Sequence, residues 1–207
     1  MNRCHYLGVI INDELKWSEH IEHVYGYLLK YVEIFYKLRK KIPADVMKNV
    51  YYAFVHSQLL YGIEVYANTY PTYLDKLVEL NNKLLQILQN QSRFCHVEDL
   101  YANYNTISIP ELHKMQLLLL AHKMYYHSNL LPDVFANYFI INSSVHDHQT
   151  RSKSDIHIHR ACTTFGQRAV SYKGGTLWNC LTHDLKLINS TSVFKSKLKH
   201  LFYTSNQ

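Results

Sequence analysis

"WSEHIEHVYGYLLKYVEIFYKLRKKI", residues 17–42, decides the fold class. Its apolar positions Trp17, Ile21, Val24, Leu28, Tyr31, Phe35, Leu38 and Ile42 are spaced alternately four and three residues apart. An α-helix turns by about 100° per residue, so steps of four and three return to one side of the cylinder. The stretch therefore predicts a single long amphipathic helix. Ser18 offers an N-cap, with Glu19 and Glu22 in the first turn, where carboxylates suit the positive end of the helix dipole. Lys37, Arg39, Lys40 and Lys41 suit the opposite end, and Pro43 restarts the chain.

Upstream, Tyr6-Leu7-Gly8-Val9-Ile10-Ile11 is β-branched and aromatic and stops at Asn12-Asp13, which reads as one strand ending in a turn. A lone strand leaves its backbone groups unpaired, so this piece of sheet needs neighbours. Downstream, Val46, Val50 and Phe54 predict the apolar face of a second helix ending near Gly62. Pro71 opens a third, carrying Leu74, Leu77, Leu80, Leu84, Leu85 and Leu88, and a short helix is expected over 97–104. Pro110 opens "PELHKMQLLLLAHKMYYHS", whose Leu117 to Ala121 run is apolar nearly all round and so predicts a place in a core. From residue 132 the character changes. "NSSVHDHQTRSKSDIHIHR", residues 142–160, has no helical period and reads as loop or extended chain. Two short apolar elements follow, around Leu177-Trp178-Leu181 and around Val193-Phe194-Leu198-Leu201. The second shows Lys195, Lys197, Lys199 and His200 to solvent or to a ligand. The expected fold is mainly α, with a strand and turn in 1–16, a helical bundle in 17–131 and a less regular basic region with short helices in 132–207.

With 47% apolar and 18% charged residues, the 207-residue chain has a globular rather than a disordered balance. No run has the length of a membrane span and no signal-peptide pattern opens the chain, so it is expected inside the cell, in nucleus or cytoplasm, without a membrane partner. Cys4, Cys95, Cys162 and Cys180 form no C-x-x-C pair, which argues against a disulfide framework or a zinc ribbon and predicts buried thiols. The eighteen tyrosines suit half-wet helix faces. Charge is uneven: residues 146–207 hold nine Lys/Arg against three Asp/Glu, whereas 43–145 hold six against eight. A basic segment beside a near-neutral body is the electrostatic pattern of phosphate contact.

The sequence contains no Gly-rich phosphate loop, no G-x-S-x-G and no Asp-Asp pair. Asp13-Glu14 and Glu98-Asp99 read as solvated carboxylates. His146, His148, His157 and His159, with Cys162 after them, have spacings found in zinc sites. No cysteine pair accompanies them and the surrounding basic residues repel a cation, so they are expected at the surface or facing phosphate. Gly174-Gly175 in "KGGTLWNCL" reads as a flexible pair beside Trp178, a core anchor. The candidate nucleic-acid contacts are Arg151, Lys153, Arg160 and Arg168 in the tail, and Lys37, Arg39, Lys40 and Lys41 at the end of the first helix.

Tyr6-Leu7-Gly8-Val9, then Trp17 and His20, then Tyr61-Gly62-Ile63-Glu64-Val65 closely resemble the segment after the catalytic palm in non-LTR retrotransposon reverse transcriptases of the jockey-like and related groups. "HDHQTR", "GGTLWNCL" and "FKSKLKHLF" resemble the carboxy-terminal region of the same polymerases, so the likeness runs along almost the whole chain. Tyr66 stands where the family usually has Trp, and Thr182 where Pro is common. The resemblance implies a thumb-like bundle and basic tail of a transposable element's RNA-directed DNA polymerase. Its partners would be the RNA/DNA template–primer duplex and, in the intact polymerase, the palm and fingers. The metal-binding aspartates that hold magnesium in that polymerase match no position here. This chain alone is therefore expected to be a catalytically inactive fragment with no cofactor of its own. The alternative is a stand-alone helical protein-interaction module derived from such an element.

Overall fold

The pattern at residues 17–42 forms helix α1, Ser18–Leu38, in the computed structural model, which describes residues 3–92, 94–135, 138–145 and 152–204. Ile21, Val24, Leu28 and Phe35 are buried along it as the 4-3 spacing requires. The cap differs from expectation. Ser18 is the first helical residue and makes no capping bond; Trp17 precedes it in the left-handed region, at φ 62°. Its carbonyl accepts the first helical bond, from Ile21 N–H at 3.0 Å.

The expected single strand is in fact a hairpin. Strands β1, Arg3–Tyr6, and β2, Val9–Asn12, pair antiparallel, with Arg3 opposite Asn12 and Tyr6 opposite Val9. Leu7 and Gly8 form the loop at φ 47° and 79°, and two positive φ values are what a two-residue type I′ connection needs. Gly8 thus marks a reversal inside an apparently continuous apolar run, and the chain supplies its own neighbouring strand. Ile10 N–H donates to His20 Nδ1 at 3.3 Å, and the Tyr61 hydroxyl donates to the Leu7 carbonyl at 2.6 Å. Gly62 takes φ 70°, and a Cβ there would lie 3.5 Å from the Val9 side chain. Tyr66, fully buried, donates to the Leu59 carbonyl at 2.5 Å and packs edge-on to His20.

Helix α2, Ala44–Tyr51, runs through a π turn, Tyr52–His56, into α3, Ser57–Leu60. The buried positions are Met47, Tyr51, Val55 and Leu59, while Val46 and Phe54, expected inside, are 41% and 48% exposed. Four residues of α-helix overshoot a full turn by about 40°, so a repeated step of four should drift off the core. The wider π turn takes up the drift and keeps that face inward.

Helix α4, Ile63–Tyr66, leads to α5, Pro71–Leu88, whose six expected leucines are all buried. Helix α5 packs chiefly against α1. Helix α6 spans Val97–Tyr104 as expected. The Tyr51 hydroxyl donates to Asn81 Oδ1 at 3.1 Å, Asn81 Nδ2 donates to the Tyr101 hydroxyl at 3.2 Å, and that hydroxyl donates to Asn82 Oδ1 at 2.6 Å. This chain satisfies polar groups that α2, α5 and α6 would otherwise bury alone.

The chain divides into two compact units, one ending at Leu112 and the other beginning at His113. The division falls within α7, Ile109–Tyr126, ahead of the change in composition at residue 132, because Leu117, Ala121 and His122 belong to the second unit's core. Glu111 Oε2 accepts from both the backbone N–H and the hydroxyl of Ser108, at 3.1 and 2.8 Å, and secures the helix start.

The second unit holds short helices α8, Asn142–Val145, α9, Thr164–Gln167, α10, Val170–Asn179, α11, His183–Lys186, and α12, Thr191–Thr204. Trp178, Phe194 and Leu198 form its centre, with the His122 ring stacked on Phe194 at 4.4 Å. Trp178 is the core anchor expected, but Gly174 and Gly175 lie in the middle of α10, not in a flexible joint. A Cβ on Gly174 would come within 2.8 Å of Phe139, and one on Gly175 within 3.2 Å of Ile156. The pair lets extended chain approach the helix closely, and Asn179 fixes it by exchanging two 2.9 Å bonds with the backbone of Ile156.

The cysteines correct another expectation: Cys4, Cys162 and Cys180 are exposed and Cys95 half-buried. Among the described residues no helix is long and apolar enough to cross a membrane.

Candidate nucleic-acid interface

The candidate cations fall into both units. In the first, Lys37 lies in the last turn of α1 and pairs with Glu33 at 2.6 Å. Arg39 follows the helix with its guanidinium 4.7 Å from the centre of the Tyr36 ring, a cation–π arrangement, and its Nε is buried without a partner. Lys40 and Lys41 are exposed. Two of these four charges are therefore already engaged locally, and Lys40 and Lys41 project.

In the second unit Lys153 and Arg160 are exposed and Arg168 is half-buried at the end of α9. Arg151, His146 and His148 lie outside the described residues. Helix α9 is started by Thr163, whose hydroxyl oxygen accepts from Gly166 N–H at 3.1 Å. One turn holds Arg168 there, and α10 begins two residues later. Thr164, Gln167, Arg168, Tyr172 and Lys173 line an open groove of about 300 Å³. Tyr172 also borders a second groove, of about 240 Å³, lined by Tyr138, His157, His159 and Ser171. The rings of His157 and His159 meet edge to face at 5.0 Å, and exposed Arg160 follows them in sequence.

Two cations missing from the sequence reading, Lys114 and Lys173, belong to this region. Lys173, half-buried on α10, has its proton affinity lowered first by burial and then by the nearby charges of Lys114 and Arg168. His113 is 3% exposed, and burial first, then Lys173 and Lys114, pushes its pKa down to about 3. Lys114 and Lys173 come from α7 and α10, far apart in sequence, so no spacing pattern links them; only the fold does.

The acids of this unit do little to offset the field. Residues 113–207 hold eleven Lys/Arg against four Asp/Glu, whereas residues 1–112 hold eleven against twelve. One of the four, Asp155, is tied to Lys186 at 2.9 Å. Among the described residues no group of three or more His, Cys, Asp or Glu side chains is placed to hold a metal ion. Phosphate is the chemistry that such a surface attracts, through charge, guanidinium forks and hydroxyl donors. Comparison with protein-family models, with curated proteins and with solved structures gave no match.

Proposed function

We propose that this chain is a nucleic-acid-binding module, the thumb-like and carboxy-terminal part of a non-LTR retrotransposon reverse transcriptase, which grips the backbone of an RNA/DNA template–primer duplex. The observation that carries the reading is the division of charge between the units, near neutral up to Leu112 and seven positive charges in excess from His113 onward. The resemblance at Tyr6–Val9, His20 and Tyr61–Val65 adds to it, since those residues meet at the junction of the hairpin with α1 and α4. Contacts made through charge position a duplex without reading its sequence, so affinity is set by salt more than by base composition. No catalytic role is assigned to any of the 207 residues, and magnesium belongs to the polymerase palm in this reading.

A second reading, a helical protein-interaction module, is favoured by apolar side chains that the first unit leaves outside: Leu29, Ile34 and Phe54 are 45%, 44% and 48% exposed. One titration separates the two. Binding to an RNA/DNA hybrid of random sequence should weaken steeply between about 50 and 200 mM salt, because each neutralised phosphate releases counterions. Absence of binding at low salt would sink the nucleic-acid reading and leave the interaction module ahead.

A further inference from the structure

A cavity of about 520 Å³ opens in the first unit where the tip of the hairpin, α1 and α3 meet. Its size falls within the range of about 300–1,000 Å³ found for sites that hold an organic ligand. Among the described residues no Lys, Arg, Asp or Glu lines it, whereas four aromatic rings do, those of His20, His23, Tyr27 and Tyr61. The His20 and His23 planes lie within 23° of parallel, so their flat faces share one orientation. Aromatic walls without a carboxylate, ammonium or guanidinium group suit a flat neutral ring better than a phosphate.

Hydrogen bonding narrows the ligand further. His20 Nδ1 accepts from Ile10 N–H at 3.3 Å, so its lone pair is committed and the ring carries its proton on Nε2. That Nε2–H has no acceptor in the chain, although the residue is only 2% exposed. With one nitrogen accepting and the other protonated, His20 is a donor and not a metal ligand. The Tyr27 hydroxyl accepts from that of Tyr31 at 3.1 Å and keeps its own proton to give, and exposed Gln58 adds an amide that both donates and accepts. A flat ring bearing carbonyl acceptors and an N–H donor is the complement of this set, and nucleobases are such rings. We propose that the cavity takes one unstacked nucleobase of a single strand. The choice of a nucleobase as occupant rests on the nucleic-acid reading above.

The test compares binding of a single-stranded oligothymidylate with that of an abasic strand of the same length, whose phosphates are the same. The full chain should prefer the base-bearing strand by about tenfold, as stacking and hydrogen bonding of one base supply. Ser57→Trp, at an exposed position on the wall, fills the cavity, and Tyr27→Ala removes one of its aromatic faces. Both variants should lose most of the preference while binding the abasic strand as the parent does. A preference kept at the parent's level in either variant overturns the proposal. A parent that binds both strands equally also overturns it while leaving the nucleic-acid reading intact.

If the parent binds neither strand, the nucleic-acid reading fails and a second arm decides the cavity. Free thymidine should then shift the ring-proton resonances of His20 and His23 in the parent and not in Ser57→Trp. No shift in the parent overturns the proposal and leaves this face to the protein-interaction reading. Equal shifts in parent and variant place the nucleoside elsewhere and overturn it too. Tyr27→Ala, at an exposed position, decides both arms should Ser57→Trp fold poorly.

Discussion

Acid should weaken the second unit through its buried histidines, His113 foremost. The His113 ring is 3% exposed, and burial together with Lys173 and Lys114 holds its pKa at about 3. In the unfolded chain the same imidazole titrates near its ordinary value of about 6.5. Between those values the unfolded state binds a proton that the folded state refuses, so stability falls as pH falls from about 6.5 toward 3, and is unaffected by this group above that window. Each such proton changes stability by about 1.4 kcal/mol per pH unit once the unfolded imidazole is mostly charged. At pH 5 the loss from His113 alone comes to about 2 kcal/mol relative to pH 8. Burial lowers the pKa of His122 and His20 as well, with the same sign, so the parent's total loss is larger. The assay is urea unfolding at pH 8, 6.5 and 5, followed by the fluorescence of Trp178, which is 1% exposed, in a Trp17→Phe background. His113→Leu removes the titrating group and should flatten the pH dependence by about 2 kcal/mol between pH 8 and 5. Parallel pH profiles for the parent and His113→Leu would refute the reasoning.

Three further outcomes follow from the packing. Phe35, fully buried on α1, should lose about 3–5 kcal/mol as Phe35→Ala, whereas exposed Glu33 in the same helix should leave the urea midpoint unmoved as Glu33→Ala. Gly26 is exposed within α1 with nothing within 4 Å of an added Cβ, so Gly26→Ala should stabilise by about 1 kcal/mol. Gly175→Ala should show no comparable gain in the same unfolding experiment, since its Cβ would press on Ile156 at 3.2 Å. Leu7 sits in the left-handed region at φ 47° and is 71% exposed. Leu7→Asn should therefore relieve about 1 kcal/mol of backbone strain without losing buried surface, read as slower amide exchange at Ile10.

The helices that depend on one uninterrupted period were legible from the sequence. In α1 and α5 the core-facing side chains recur at the helical spacing, and in α7 the unbroken run Leu117 to Ala121 announced burial before any neighbour was known. What escaped was local geometry that alters period or direction. Gly8 reverses the chain inside a β-branched run, and a positive φ at Leu7 has no signature in a leucine. Trp17 occupies a capping conformation that its size would not suggest, displacing Ser18. Of the candidate interface, Arg168 was found because it lies in the basic tail, and Lys40 and Lys41 because they end a helix. Lys114 and Lys173 were not, because one is a lone charge on an apolar helix and the other adjoins two glycines. Their proximity is a property of helix packing, in which the glycine pair at 174 and 175 lets neighbouring chain come close to α10.

The π turn at Tyr52–His56 has a consequence for chain length. Its buried neighbours Met47, Tyr51, Val55 and Leu59 follow steps of four throughout. Removing one exposed residue between Tyr51 and Val55, such as Ala53, turns those steps into four, three and four, the spacing of an unbroken α-helix. Both ends of the rod would keep the same side chains buried, with α2 still against α5. A single-residue deletion, ruinous to register in the middle of α1 or α5, is thus accommodated here by rewinding the helix. The π turn thus gives this helical rod a place where its length can change by one residue while the same side chains stay buried.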